Sequence, residues 1–142
     1  MSTGAFVTLE TERDPAAEAV ITGGLAAFNR ETFGRVDSRT LDILVRDEHG
    51  TIIGGLLGRS SLGLFFLDLF YLPNELRGSG LGSQIMAQAE DEARRRDCTA
   101  AFVYTVTFQA PGFYEKYGYR RFGEIACPPE GATRIFLTKP LE

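Results

Sequence analysis

Two stretches of the chain hold residue types whose spacing could do chemistry. The first is "LRGSGLG", Leu76 to Gly82, where three glycines alternate with other residues directly after an arginine and an apolar helical pattern begins at once. Each glycine loses more backbone freedom on folding than any other residue, so such a cluster serves a purpose. A strand, a glycine turn and a helix in that order present consecutive backbone N–H groups and the positive end of a helix dipole to an anion, and the missing side chains let phosphate oxygens approach the backbone. The second is Asp68, the only charge in "LGLFFLDLFYL", Leu62 to Leu72. Buried in such a strand, its carboxyl would titrate above the usual range and could act as a base; the plainer reading is a structural acid paired with a neighbour.

Three phosphate-binding devices compete for the glycine stretch. A P-loop needs Gly-Lys-Ser/Thr at its end, and here the end is Leu81-Gly82-Ser83 with no lysine. A dinucleotide fingerprint needs Gly or Ala where Ser83 stands and an acidic residue about 20 positions on. Cys98 to Phe108 contains no acid. The third device, Arg-x-x-Gly-x-Gly, is matched by Arg77, Gly80 and Gly82.

That match carries a resemblance: "LFYLPNELRGSGLGSQIM" is similar to the acetyl-coenzyme-A-binding segment of the GNAT superfamily of N-acetyltransferases. A second segment, "FQAPGFYEKYGYRRFGE", resembles the superfamily's late segment, in which a short helix carries Phe/Leu-Tyr, here Phe113-Tyr114, and ends in Gly-Phe/Tyr, here Gly118-Tyr119. The resemblance covers nearly the whole chain. It departs at Thr107, where many members have an asparagine that contacts the pantetheine arm.

The resemblance implies transfer of an acetyl group from acetyl-coenzyme A, as cosubstrate, to a primary amine of a small molecule or peptide by direct attack. The pyrophosphate would sit on the N–H groups of Arg77, Gly78, Ser79, Gly80, Leu81, Gly82 and Ser83, and the backbone of Leu69, Phe70 and Tyr71 would lie beside the pantetheine and thioester. A splayed or bulged strand there would leave N–H groups free to polarise the thioester carbonyl. Tyr114 matches the acid position, where a phenol holding its proton at neutral pH suits a departing thiolate. Asp68 is the first candidate to deprotonate the amine; Glu31, Asp37 and Glu124 are weaker ones, and His49 in "DEHG" belongs to a turn remote from the thioester. The acceptor would lie between about residues 26–39 and 125–133. A non-catalytic acyl-coenzyme-A-binding module is the alternative reading, and a longer acyl donor is compatible with the apolar residues near the site.

These residues need elements to hold them. "ERDPAAEAVITGGLAAFNRETFG" reads as a helix capped by Asp14 with Pro15 at its first position, and Gly23-Gly24 as a kink or the start of a second helix. "TLDILVRD" and "TIIGGLLGRS" read as a hairpin, and Leu62 to Leu72 as a central strand buried on both faces. A helix from about Leu81 to Arg96 turns Leu81, Ile85, Ala89 and Ala93 to one side. Its acids Glu90, Asp91 and Glu92 lie four residues before Arg94, Arg95 and Arg96, the pattern of a solvated face. Ala100 to Phe108 reads as a strand, Gly112 to Tyr117 as a short helix closed by Gly118, and "YRRFGEI" and "TRIFLTK" as two last strands. The expected architecture is mixed α/β in one domain over residues 1–142: a twisted mixed sheet of about six to seven strands splayed in the middle, flanked by about four helices.

Composition bounds the partners. With 142 residues, a net charge of −4 and no run approaching the roughly 18 apolar residues a span requires, neither nucleic acid nor a membrane is expected as a partner. Cys98 and Cys127 lie far apart and His49 is the only histidine, so no metal site is expected, and an unbridged cysteine pair fits the cytoplasm. Homodimerisation is what the resemblance implies for assembly.

Overall fold

A computed structural model describes residues 3–34, 38–109 and 111–142. The chain divides into two compact units, Met1–Val36 and Asp37–Glu142. The first is built on α1, Pro15–Phe33. Asp14 Oδ1 accepts from the Ala16 N–H at 2.9 Å, Pro15 occupies the first turn, and Gly34 in the left-handed region returns its N–H to the Arg30 carbonyl. The helix runs unbroken through Gly23-Gly24, against the expected kink. Two glycines cost it about 1 kcal/mol each against alanine, but they remove no backbone donor and the ends are capped, so the ladder survives. That leaves three α-helices among the described residues where about four helices are expected.

The second unit carries strands β1 (Arg39–Thr40), β2 (Ile43–Arg46), β3 (Ile52–Ser61), β4 (Leu64–Tyr71), β5 (Ala100–Val106), β6 (Arg120–Cys127) and β7 (Ala132–Pro140), with helices α2 (Leu81–Arg95) and α3 (Pro111–Lys116). The seven strands form one mixed sheet in the order β1-β3-β4-β5-β7-β6, with β2 also pairing β3. Only β4 and β5 run parallel, and α2 lies in the long connection that a parallel pair requires. β7 inserts between β5 and β6.

The core fills one face of the sheet. Ile85, Met86, Ala89 and Ala93 of α2 join Leu56, Phe65, Leu67, Ala101, Val103, Ile135 and Leu137 in a single buried cluster. Glu90 is buried with them, so the helix face holding it is not solvated as expected. Its carboxylate accepts from the Tyr119 hydroxyl at 2.9 Å and from Lys139 Nζ at 2.7 Å, tying α2 to the start of β6 and the end of β7. Arg96 departs from expectation in the same way: it pairs with Glu92 at 2.8 Å, but its guanidinium is largely covered and donates to the Thr40 carbonyl and Ser60 Oγ, both at 3.0 Å. Arg94 keeps its expected partner Glu90 at 3.8 Å while lying closer to Asp91 at 3.1 Å, and Arg95 pairs with Glu92 at 3.0 Å, one residue nearer than the pattern implies.

β4 is central, but not buried on both faces. Phe65 and Leu67 point into the core, while Leu64, Phe66, Phe102 and Phe122 line a shallow apolar groove on the opposite face, where Arg59 lies 4.2 Å above the Phe66 ring. No described helix is long and apolar enough to cross a membrane.

Candidate active site

The site begins where two parallel strands stop pairing. β4 and β5 are in register from Leu64↔Ala100 to Leu67↔Val103. Beyond that, Leu69–Tyr71 stays paired only with β3 and Tyr104–Val106 only with β7. The facing edges part into a wedge whose N–H and C=O groups have no strand partner. A cleft of about 760 Å³ fills it, lined by Leu67 to Leu72 on one wall and Val103 to Thr105 on the other.

A bulge turns the β4 wall. Leu57 pairs with Leu69 and Gly58 with Leu67, so Asp68 is the extra residue opposite no partner. Gly58 makes room for it: a Cβ there would lie 2.7 Å from the Phe66 carbonyl oxygen and 2.9 Å from the Phe65 ring. The inserted residue breaks the inside–outside alternation, leaving Asp68 and Leu69 exposed in succession. The Asp68 carboxylate is 48% exposed and 3.5 Å from Arg59 Nε, so it is not buried as expected and is paired with a neighbour instead.

The floor at the wide end is the glycine turn. Gly78 and Gly80 have φ of 79° and 89°, conformations that side chains resist, and Gly80 caps α2 without any side-chain bond to its first N–H groups. Gly82 answers a different need, since a Cβ there would stand 3.0 Å from the Phe113 ring. Glycine at this place lets α3 close on α2. Arg77 Nε donates to the Leu72 carbonyl at 3.1 Å and Nη1 to Asn74 Oδ1 at 3.3 Å. Both acceptors are neutral, and among the described residues no carboxylate pairs with its positive charge beside the turn.

α3 supplies the third side. Tyr114 is 7% exposed, and burial pushes its phenol up to about 12. Phe113 packs between Phe70, ring centroids 5.1 Å apart, and Tyr117, 5.0 Å apart. Tyr117 and Ser83 share a hydrogen bond of 2.7 Å across the α2–α3 gap. Behind Tyr114, burial and the Glu90 charge push the Tyr119 phenol still further up.

Of the residues singled out from sequence, the cleft gathers Asp68, Leu69, Phe70, Tyr71, Arg77, Gly78, Gly80, Gly82, Ser83 and Tyr114. Ser79 and Leu81 do not line it; the Ser79 hydroxyl donates to the Leu76 carbonyl and Leu81 packs on the core. Glu124 does not line it either, Glu31 belongs to the first unit, and Asp37 lies outside the described residues. His49 is exposed in the β2–β3 turn, where its N–H donates to Asp47 Oδ1. Thr107 is turned to the last hairpin, its hydroxyl accepting from the Thr133 N–H at 3.1 Å. Sequence reasoning missed Tyr104, Thr105, Gln109, Lys116 and Tyr117. Lys116 and Tyr117 stand in "FYEKYGY", each three residues after a recognised position, Phe113 and Tyr114, and that helical spacing was the available signal.

A family model for the acetyltransferase (GNAT) domain matches residues 39–121, more than half of the chain and every wall of the cleft. The chain belongs to the GNAT acetyltransferases. It is 34% identical to an acetyltransferase of Agrobacterium fabrum over 89% of this chain and 92% of that one. It is 36% identical to the blasticidin-S acetyltransferase of Streptomyces morookaense over 94% of each. A crystal structure of an acetyltransferase-family protein from Agrobacterium tumefaciens superposes with a TM-score of 0.87 at 32% identity, covering 96% of this chain and 99% of that one. The GNAT fold expected from the sequence is therefore the fold observed, and the protein is an N-acetyltransferase enzyme.

Proposed function

We propose that this GNAT enzyme transfers the acetyl group of acetyl-coenzyme A to a primary amine of a small molecule. The observation that carries the reading is the wedge between β4 and β5, closed at one end by the uncapped α2 N-terminus and flanked by Tyr114. The fit is one of shape and donors: two open strand edges suit an extended arm bearing amides, and a glycine turn with the unpaired charge of Arg77 suits a pyrophosphate. Bound there, the cosubstrate supplies an acetyl group activated as a thioester.

The chain's own residues then have three tasks. Free N–H groups at Leu69 to Tyr71 hold the thioester carbonyl and stabilise the oxyanion that forms on attack, an effect worth about 3–4 kcal/mol per donor in measured cases. Tyr114 stands as a hydrogen-bond donor to the departing sulfur. With a pKa near 12, against about 8.5 for a thiol, it steadies the thiolate more than it surrenders its proton. Asp68, at the bulge and open to water, takes the proton the amine must lose. An acceptor that arrives as an ammonium gives up two protons, one before attack and one from the tetrahedral adduct; the thiolate regains one and the other passes to solvent.

A small acceptor is supported by the name of the Streptomyces relative and by the net charge of −4, which steers cations inward. A peptide amine is the other acceptor class. We also propose a cytoplasmic homodimer, which light scattering tests. The deciding assay is thiol release from acetyl-coenzyme A across a panel of amines, aminoglycosides, nucleoside antibiotics and peptides, run beside Tyr114→Phe. Release with one acceptor class, depressed in the variant, is the expected outcome. Binding without release from any acceptor would favour the acyl-coenzyme-A-binding module and overturn the reading.

A further inference from the structure

The β5 wall of the wedge is not bare backbone. Gln109, in the turn that follows β5, folds back so that its Oε1 accepts from the Val106 N–H at 3.3 Å and from Thr105 Oγ1 at 3.4 Å. The backbone N–H can only donate, so it fixes the amide's orientation: oxygen toward β5, nitrogen away from it. Gln109 lines the cleft, and among the described residues its Nε2 has no hydrogen-bond partner. The side chain thus covers the Val106 donor and leaves a donor of its own on a residue that lines the cleft.

We propose that Gln109 is a binding residue for the acyl donor, its Nε2 donating to an amide carbonyl of the donor's extended arm. This rests on the proposed use of acetyl-coenzyme A. The opposite wall, Asp68 to Tyr71, offers the alternating groups of an open strand edge, so an arm lying between the walls is held like a missing strand. A strand-like arm needs partners on both sides. Gln109 provides one on the β5 side, where Val106 has its N–H already satisfied.

Two variants separate this role from a structural one. Gln109→Glu keeps an oxygen for Val106 and Thr105 but loses the N–H donor, whereas Gln109→Ala loses both. Calorimetric titration with acetyl-coenzyme A is expected to show each binding roughly tenfold more weakly than the unaltered enzyme, the size of one neutral hydrogen bond, with KM for the amine unchanged. Repetition at high salt removes any contribution from the new carboxylate's charge, and the penalty should persist. If Gln109→Glu binds as tightly as the unaltered enzyme while Gln109→Ala does not, the side chain only braces β5 and the proposal is overturned. If the unaltered enzyme does not bind acetyl-coenzyme A, the functional reading beneath it fails instead.

Discussion

The two halves of β4 have the same kind of sequence and opposite fates. "LFFL", Leu64 to Leu67, is bonded on both sides and sends Phe65 and Leu67 into the core; "DLFY", Asp68 to Tyr71, is bonded on one side and lines the cleft. One inserted residue separates them. The paired half holds the domain together, and the unpaired half keeps its hydrogen-bonding capacity for something else. Binding sites of this kind are made by withholding a strand rather than by adding a loop.

The comparison breaks most visibly if core and cleft residues are exchanged in their effects. Phe65→Ala should cost about 3–5 kcal/mol in denaturant unfolding, while Leu69→Ala, four residues on and 65% exposed, should stay within about 0.5 kcal/mol. Equal costs would mean that the second half is also core. Tyr114→Phe should lower kcat by roughly a hundredfold with little change in acetyl-coenzyme A affinity, the order of what one donor aimed at developing charge contributes. Unchanged turnover would move Tyr114 from the chemistry to the packing.

Gly58→Ala tests whether the bulge is what divides the strand. The added Cβ meets backbone oxygen that has no freedom to yield, so about 2 kcal/mol of stability should go, together with measurable affinity for acetyl-coenzyme A. Loss of stability alone would show that the wedge does not need the bulge. The smallest effect concerns pH. The Tyr114 phenol is raised in the folded state from about 10 to about 12, so the unfolded chain ionises first; stability is intact below pH 10 and falls by at most about 1.4 kcal/mol per pH unit between 10 and 12. Thermal melts of Tyr114→Phe should show a shallower decline across that window, with the slope that Tyr119 contributes still present.

The order of strands and helices was legible because it rests on periodicity: β-branched and aromatic runs bounded by glycine, and the apolar spacing of Ile85, Ala89 and Ala93. The glycine turn was legible because only glycine tolerates the φ of Gly78 and Gly80. What escaped depends on partners distant in sequence. Nothing in "LFFLDLFY" marks Asp68 as inserted, since the bulge is defined by Gly58 on another strand. Glu90 reads as one acid in a charged run until Tyr119 and Lys139 are brought to it, and Arg96 reads as solvated until β1 and β3 supply Thr40 and Ser60. Gln109 escaped for a related reason, because its role follows from which of its two polar ends is already occupied.

The insertion of β7 between β5 and β6 has a consequence for biosynthesis. During translation β5 emerges with its inner edge facing the wedge and its outer edge waiting for residues 132–140, while β6 emerges with no neighbour to pair with. Until residues 132–140 leave the ribosome, Glu90 also lacks the Lys139 cation. The nascent enzyme therefore carries unpaired strand edges until β7 has been made, with Arg94 at 3.8 Å the cation left beside Glu90, and the pairing of β5 and β6 waits on residues 132–140.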